Sequence, residues 1–134
     1  MYFLDTDTCV YLLKGDQNIR QRMEEEGKEN VYVTIITPCE LYFGAYNSQR
    51  RQENLEVLDD LFKNLEVRQT IFKVAQIFGE IKARLRSEGK IINDADILIS
   101  SIVIANDGIL VTNNISHFER IPDLKLENWR QLLS

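Results

Sequence analysis

The residues of this sequence best suited to chemistry are carboxylates that stand beside short apolar runs. Asp5 ends the first such run, Glu40 follows the run at 31–36, and Asp94 and Asp96 open a long apolar stretch. In a parallel sheet, ligands bind beyond the carboxyl ends of the strands, so we expect these side chains to share one crevice. Carboxylates gathered there repel each other unless a cation compensates their charge. Oxygen ligands without thiolate or imidazole favour a hard cation, Mg²⁺ or Mn²⁺.

A hard cation held by few carboxylates keeps bound water and accepts phosphate oxygens. The reaction class that this arrangement favours is phosphodiester hydrolysis, in which the metal polarises the phosphate and lowers the pKa of the attacking water. The cation would also supply local positive charge. The chain has 16 Lys and Arg against 21 Asp and Glu, a net charge of −5, so its overall charge does not attract a nucleic acid.

Acidic residues in the first turn of a helix also have a purely structural explanation. They cap the helix or interact with its positive end, a contribution of about 0.3–1 kcal/mol. For Asp7 and Asp94 this explanation stays open beside a functional one. Asp96 fits it poorly, because the helix that follows has almost no polar face and an unpaired acid there is costly. We therefore expect Asp5, Glu40 and Asp96 to act together.

The elements that must position these residues follow from the spacing of apolar side chains. Apolar and β-branched runs predict strands at 2–4, 31–36, 109–112 and 124–126. Helical spacing predicts a helix that begins within 6–8, one that ends near 24–27, one that opens at Thr37 and Pro38, and two amphipathic helices at 55–65 and 71–85. The stretch 95–105 is apolar all round and is expected to be a buried helix. Alternating strands and helices predict one α/β domain over 1–134, with a mainly parallel sheet of about four to five strands.

The number and spacing of cysteine and histidine residues exclude a zinc site. Cys9 and Cys39 form no CxxC pair, and with a single histidine the chain has no Cys/His zinc constellation. We expect both cysteines to be reduced and buried.

No apolar run approaches the ~18–20 residues of a membrane span, and the first residues do not resemble a signal peptide. We therefore expect a soluble cytoplasmic protein.

Four motifs follow one another along the chain: Leu4-Asp5-Thr6-Asp7, the segment 34–45 (TIITPCELYFGA), the segment 96–101 (DILISS) and the segment 111–122 (VTNNISHFERIP). Together they resemble the motifs of PIN-domain ribonucleases, and most closely those of the VapC toxins of type II toxin–antitoxin modules. The resemblance covers essentially the whole chain. It implies a PIN-like three-layer α/β/α fold and a Mg²⁺- or Mn²⁺-dependent endoribonuclease toxin that hydrolyses RNA with a metal-activated water.

The resemblance also implies roles for particular residues. It makes Asp5, Glu40 and Asp96 the metal-binding cluster, and it places the family's fourth catalytic position at Asn114. Many PIN domains have aspartate there, whereas VapC-like members often have asparagine. An amide orients a water or phosphate but adds no charge, so it attracts a second cation less strongly than an aspartate would. Asp94 is a further candidate catalytic residue.

Three further polar residues of these motifs lie close in sequence to the candidate site residues. His117 suggests a general base, but a metal-independent ribonuclease of the two-histidine type needs a second histidine, and this chain has none. We therefore interpret His117 as a loop residue. Thr6 and Thr37 are candidate hydroxyls that hold the carboxylates in place.

Partners follow from the same resemblance. A free ribonuclease endangers its host, and VapC-like toxins are blocked by an antitoxin, typically through a C-terminal segment laid across the site. We expect an RNA substrate, a VapB-like antitoxin and a homodimer, with no membrane association. The helices at 55–65 and 71–85 and the side chains of Tyr42, Phe43 and Tyr46 offer more apolar surface than one sheet can cover. Part of it should serve the dimer and part the antitoxin.

Two other functions stay open at this point. A PIN fold with weakened catalysis could act only as a binding module, which the amide at Asn114 allows and the three intact acids oppose. A phosphoacceptor receiver domain also has acids after its first strand and Mg²⁺ in its site. It needs an aspartate ending a central strand and a lysine ending a later one, whereas this chain has Thr37-Pro38 and Thr112-Asn113.

Overall fold

The computed structural model describes residues 1–131, and five short strands form one sheet within them. The strands are β1 (Tyr2–Leu4), β2 (Val31–Val33), β3 (Glu66–Val67), β4 (Ile109–Val111) and β5 (Lys125–Glu127). Their order is β3-β2-β1-β4-β5, and every pairing is parallel. The predicted parallel sheet of four to five strands is therefore confirmed.

Helices connect these strands and cover both faces of the sheet. They are α1 (Thr6–Leu13), α2 (Gln17–Glu26), α3 (Ile36–Tyr46), α4 (Arg51–Asn64), α5 (Lys73–Ser87), α6 (Asp94–Ala105) and α7 (Ile115–Phe118). None of the helices in the described residues is long and apolar enough to cross a membrane.

Alternate residues of the central strands face two separate cores. Phe3 of β1 and Leu110 of β4 pack with the buried side chains of α5 and α6. Leu4 and Val111, their neighbours in sequence, pack on the other face with α1 and α2. Because successive strand residues point to opposite faces, short runs that are apolar throughout produce a sheet buried on both sides. This is the α/β/α layering that the resemblance implies, and the expected burial of the 95–105 helix is confirmed at Ile97, Ile99 and Ile102.

The second strand is shorter than the sequence predicts. Its ladder ends at Val33, and the chain enters a helical turn in which the Thr37 amide donates to the Thr34 carbonyl at 3.2 Å. The predicted strand at 31–36 and the predicted helix start at Pro38 were therefore wrong by two to three residues. Pro38 is the third residue of α3, where its missing N–H costs little because the first four amides of a helix have no partner within it.

Other boundaries differ where the local signal is weak. The two-residue strand β3 and the single-turn helix α7 were not predicted, since elements this short have no measurable periodicity. Helix α4 begins at Arg51 rather than 55, α5 covers Lys73–Ser87 rather than 71–85, and β5 lies one residue later than expected.

The expectation for the two cysteines is confirmed for one and wrong for the other. Cys9 is buried and Cys39 is exposed. The buried residues of α3 include Thr37 and Ala45. Cys39 follows Thr37 by two residues, which turns it about 200° around the helix axis and so away from the core.

Candidate active site

A cavity of about 220 Å³ lies where β1 and β4 end and where the helices after them begin. Its lining consists mainly of acidic, amide and hydroxyl side chains: Asp5, Thr6, Asp7, Glu40, Asn93, Asp96, Asn114, His117 and Phe118. The structure thus brings Asp5, Glu40, Asp96 and Asn114 to one crevice. They meet there because parallel strands end at the same edge of the sheet.

Asp5 is the most buried of these acids, with 5% of its surface exposed. Its Oδ1 accepts a hydrogen bond from the Thr8 amide at 2.8 Å and so caps α1. The predicted helix start within 6–8 is confirmed, since α1 begins at Thr6, and Asp5 is its N-cap. Burial raises the pKa of the Asp5 carboxyl, and the charge of Asp7 adds to the shift, although hydrogen bonds from Thr112 and Thr8 oppose it. Because burial disfavours the ionised form of Asp5, a nearby cation would stabilise that form.

Glu40 is held by a hydroxyl from a different helix. Thr6 Oγ1 donates to Glu40 Oε1 at 2.7 Å and also lies 3.2 Å from Thr37 Oγ1. Since Thr6 has one hydroxyl hydrogen and directs it at Glu40, Thr37 must be the donor in the second contact. The two threonines identified from the sequence as candidate supporting hydroxyls therefore form a short chain that ends on Glu40.

Asp96 is held by an asparagine and a histidine. The Asp96 amide donates to Asn93 Oδ1 at 2.9 Å, which caps α6, and Asn93 Nδ2 donates back to Asp96 Oδ2 at 3.0 Å. His117 Nε2 lies 2.8 Å from the same Oδ2. The interpretation of His117 as a loop residue was wrong, because it lies in α7 and lines the cavity.

Asn114 lies at the cavity, whereas Asp94 does not. Asn114 lines the cavity, and its backbone amide donates to Thr112 Oγ1 at 3.0 Å. Asp94 is not among the lining residues, and its carboxylate binds Lys82 Nζ at 2.8 Å with 60% of the side chain exposed. The structure therefore separates Asp94 from the other candidate catalytic residues. As the first residue of α6 it lies at the positive end of the helix, as the structural explanation holds.

The oxygen ligands in the cavity fit a hard cation, although they do not form a complete coordination shell by themselves. Carboxylate and amide oxygens are the ligands that Mg²⁺ and Mn²⁺ prefer. Within residues 1–131, no group of three or more His, Cys, Asp or Glu side chains is arranged so that together they could hold a metal ion. Magnesium is commonly bound through one or two carboxylates, with waters and substrate phosphate completing its shell. The arrangement suits that mode of binding.

Comparison with known proteins identifies the family. The sequence profile of the PIN domain matches residues 2–124. The chain belongs to the PIN-domain family. A PIN domain is the fold that the four sequence motifs imply, and the receiver-domain alternative is thereby set aside.

Relatives place this PIN domain in the VapC branch. It is 37% identical over 131 residues to Ribonuclease VapC2 of Rickettsia felis, across 96% of this chain and 98% of the relative. It is 32% identical over 129 residues to the tRNA(fMet)-specific endonuclease VapC of Salmonella typhimurium, across 96% and 97%. A solved structure of VapBC2 from R. felis, bound to a DNA fragment from their promoter, matches with a TM-score of 0.87, 35% identity, and 96% and 98% coverage. The chain is a VapC-type PIN-domain ribonuclease.

Sequence reasoning did not assign two lining residues of this PIN domain, Asn93 and His117, to the site. Asn93 carried a usable signal, because an asparagine three residues before Asp96 at the start of an apolar helix has the spacing of an N-cap. For His117 the sequence offers no such signal, since its contact with Asp96 joins residues 21 positions apart.

Proposed function

We propose that this chain is an endoribonuclease that depends on Mg²⁺ or Mn²⁺ and hydrolyses RNA phosphodiester bonds with water as the nucleophile. The observation that carries the proposal is the meeting of Asp5, Glu40 and Asp96 in one cavity of a VapC-type PIN domain. When bound, the cation supplies positive charge to the phosphate and acidifies the attacking water.

The chain's own residues divide the remaining work. Asp5 and Asp96 would hold the cation through carboxylate oxygens, Asp5 from a buried position and Asp96 from the start of α6. Glu40, which is exposed and fixed by Thr6, would bind a water of the cation's shell or accept a proton from the attacking water. The Asn114 amide would orient a water or a phosphate oxygen without adding charge. The site is therefore expected to favour one divalent cation over two.

We further propose that a VapB-like antitoxin and a second copy of this chain cover its exposed apolar surface. The solved R. felis relative is VapBC2. A groove of about 830 Å³ lies between α1, α2 and α4, and its apolar lining includes Leu12, Met23 and Leu61. Four acids and two basic residues also line it: Glu24, Glu53, Glu56, Asp60, Arg20 and Lys28. An amphipathic antitoxin segment with basic residues would match this groove.

The dimer surface that we propose is the exposed side of α3. Phe43 and Tyr46 are 72% and 56% exposed, whereas Tyr42 donates its hydroxyl to Asp59 at 2.6 Å and packs on Phe62. Tyr42 therefore belongs to the contact between α3 and α4. The two exposed aromatic side chains are left for a partner.

The deciding experiment is RNA cleavage by the purified chain with Mg²⁺ or Mn²⁺, with and without EDTA. Initiator tRNA is the first substrate to use, because the S. typhimurium relative carries that specificity in its name; an unrelated structured RNA serves as comparison. We expect metal-dependent cleavage that leaves 5′-phosphate and 3′-hydroxyl ends and is lost in Asp96→Asn. Cleavage that persists in EDTA, or products with 2′,3′-cyclic phosphates, would contradict the mechanism. Antitoxin binding without any cleavage would instead favour the binding-module alternative.

A further inference from the structure

Two residues outside the proposed chemistry form a hydrogen-bonded chain that ends on Asp96. Arg120 Nη2 lies 2.7 Å from His117 Nδ1, and His117 Nε2 lies 2.8 Å from Asp96 Oδ2. Arg120 Nε also donates to the His117 backbone carbonyl at 3.0 Å. Both ends of the imidazole are therefore engaged, one by a cation and one by a carboxylate.

The arginine determines which ring nitrogen carries the proton. A guanidinium has five N–H donors and no acceptor, so Arg120 donates to Nδ1, and Nδ1 must present its lone pair. The hydrogen of the neutral ring is then on Nε2, and it is directed at Asp96. With Nδ1 accepting and Nε2 donating, no lone pair of the ring is free to bind a metal or to remove a proton from water.

The ring is also fixed by packing. His117 meets Phe118 edge to face, with ring centroids 4.9 Å apart and planes at 81°. Phe118 is 3% exposed and belongs to the core beneath α5 and α6. The imidazole is thus held on a short helix whose next residue is anchored in the core.

The two oxygens of Asp96 are occupied unequally as a result. Oδ2 accepts from both Asn93 Nδ2 and His117 Nε2, whereas among residues 1–131 no hydrogen bond reaches Oδ1. Two donors on one oxygen fix the rotation of the carboxylate and leave the other oxygen for a ligand. Partners of this kind orient metal-binding carboxylates in many sites, and their loss costs about 10- to 100-fold in metal affinity or activity.

We propose that His117, kept in its Nε2–H form by Arg120, is a positioning residue that fixes Asp96 with Oδ1 available to the cation. This inference rests on the proposed function, because it assigns Asp96 a metal-binding oxygen. It also gives the single histidine of the chain a role that is neither general base nor ligand.

The tautomer provides a test that needs neither metal nor RNA. Because the chain has one histidine, the ring nitrogens of the ¹⁵N-labelled protein give unambiguous NMR signals. We expect a protonated Nε2 and an unprotonated Nδ1 in the neutral ring of the wild-type protein. Arg120→Met should weaken this preference. A wild-type ring with its proton on Nδ1 would overturn the proposal.

Metal binding provides the second test, measured as the loss of the free Mn²⁺ signal in electron paramagnetic resonance. His117→Phe removes the donor and keeps a ring, whereas His117→Gln places an amide N–H near the position of Nε2. We expect His117→Phe to weaken Mn²⁺ binding by about 10- to 100-fold and His117→Gln to stay close to wild type. Thermal unfolding of each variant checks that the fold is kept.

The outcomes separate this inference from the proposed function. If the wild-type protein cleaves RNA with Mn²⁺ and His117→Phe binds Mn²⁺ equally well, the positioning role fails and the function stands. If folded His117→Gln loses as much affinity as His117→Phe, the donated proton is not what matters and the proposal also fails. A wild-type protein with the Nε2–H tautomer that neither binds Mn²⁺ nor cleaves RNA would overturn the proposed function, and the role of His117 with it.

Discussion

The Thr6 hydroxyl donates to Glu40 Oε1 across 2.7 Å and so joins the first residue of α1 to α3. The contact exists because β1 and β2 are neighbours in the sheet, and the helices that follow them begin side by side. Thr37, one turn before Glu40 on α3, lies 3.2 Å from the same hydroxyl. The exposed Glu40 is thereby held toward the cavity by Thr6, which Thr37 supports in turn.

Removing the Thr6 hydroxyl should lower cleavage while leaving the fold intact. Thr6→Val keeps the branched shape and leaves Glu40 without its donor, so we expect cleavage to fall by about tenfold, as for other partners that orient a ligand. Stability should change by about 1 kcal/mol or less, the usual contribution of one hydrogen bond. Thr6→Ser retains the hydroxyl and is the matched control. Equal cleavage by the two variants would show that the contact has no role in catalysis.

Replacing the buried carboxylate of Asp5 should abolish cleavage and stabilise the metal-free protein at neutral pH. The pKa of Asp5 is raised in the folded state, so folding favours the protonated carboxyl over the ionised one. This contribution to stability is fully present below the unfolded pKa and is lost as pH rises through the folded pKa. Each pKa unit of elevation corresponds to about 1.4 kcal/mol. Asp5→Asn keeps an effective helix cap and removes the charge.

Urea unfolding in EDTA measures this effect at acidic and neutral pH. Asp5→Asn should gain stability over wild type at pH 7, and the difference should shrink as the pH is lowered toward the unfolded pKa. A variant less stable than wild type at pH 7 would mean that hydrogen bonds from Thr8 and Thr112 outweigh the cost of burial.

Asp94 and Asp96 should differ sharply although they lie two residues apart. Asp94→Asn breaks an exposed ion pair with Lys82, which costs about 0–1 kcal/mol, and should leave cleavage unchanged. Asp96→Asn should reduce cleavage by more than ~100-fold, because even residues that only orient a ligand cost about 10- to 100-fold. Initial cleavage rates at saturating Mn²⁺ give the comparison. A large loss in Asp94→Asn would return that residue to the catalytic group.

The exposed aromatic residues of α3 should control self-association. Replacing Phe43 and Tyr46 together with serine removes the two most exposed aromatic side chains of this helix, and we expect a dimer at micromolar concentration to become a monomer. Sedimentation velocity measures the change. Val57→Ser, in the groove between α1, α2 and α4, is the control and should leave the dimer intact. A wild-type monomer under these conditions would refute the proposed dimer surface.

Local spacing determined much of the fold. The apolar runs that became β1 and β4, and the all-apolar helix α6, were predictable because a strand or helix buried on every side leaves no polar face in the sequence. The meeting of Asp5, Glu40 and Asp96 was predictable for a related reason. Each acid follows a strand or opens a buried helix, and parallel strands end at one edge of the sheet.

Tertiary contacts decided what spacing leaves open. Asp94 and Asp96 look alike in the sequence, yet two residues along a helix separate them by about 200°, and the neighbours Lys82 and His117 give one an exposed ion pair and the other a place in the cavity. The pairing of His117 with Asp96 depends on how α7 packs against the start of α6. Periodicity describes which face of an element is buried, whereas the side chains that meet across elements depend on the packing of the whole chain.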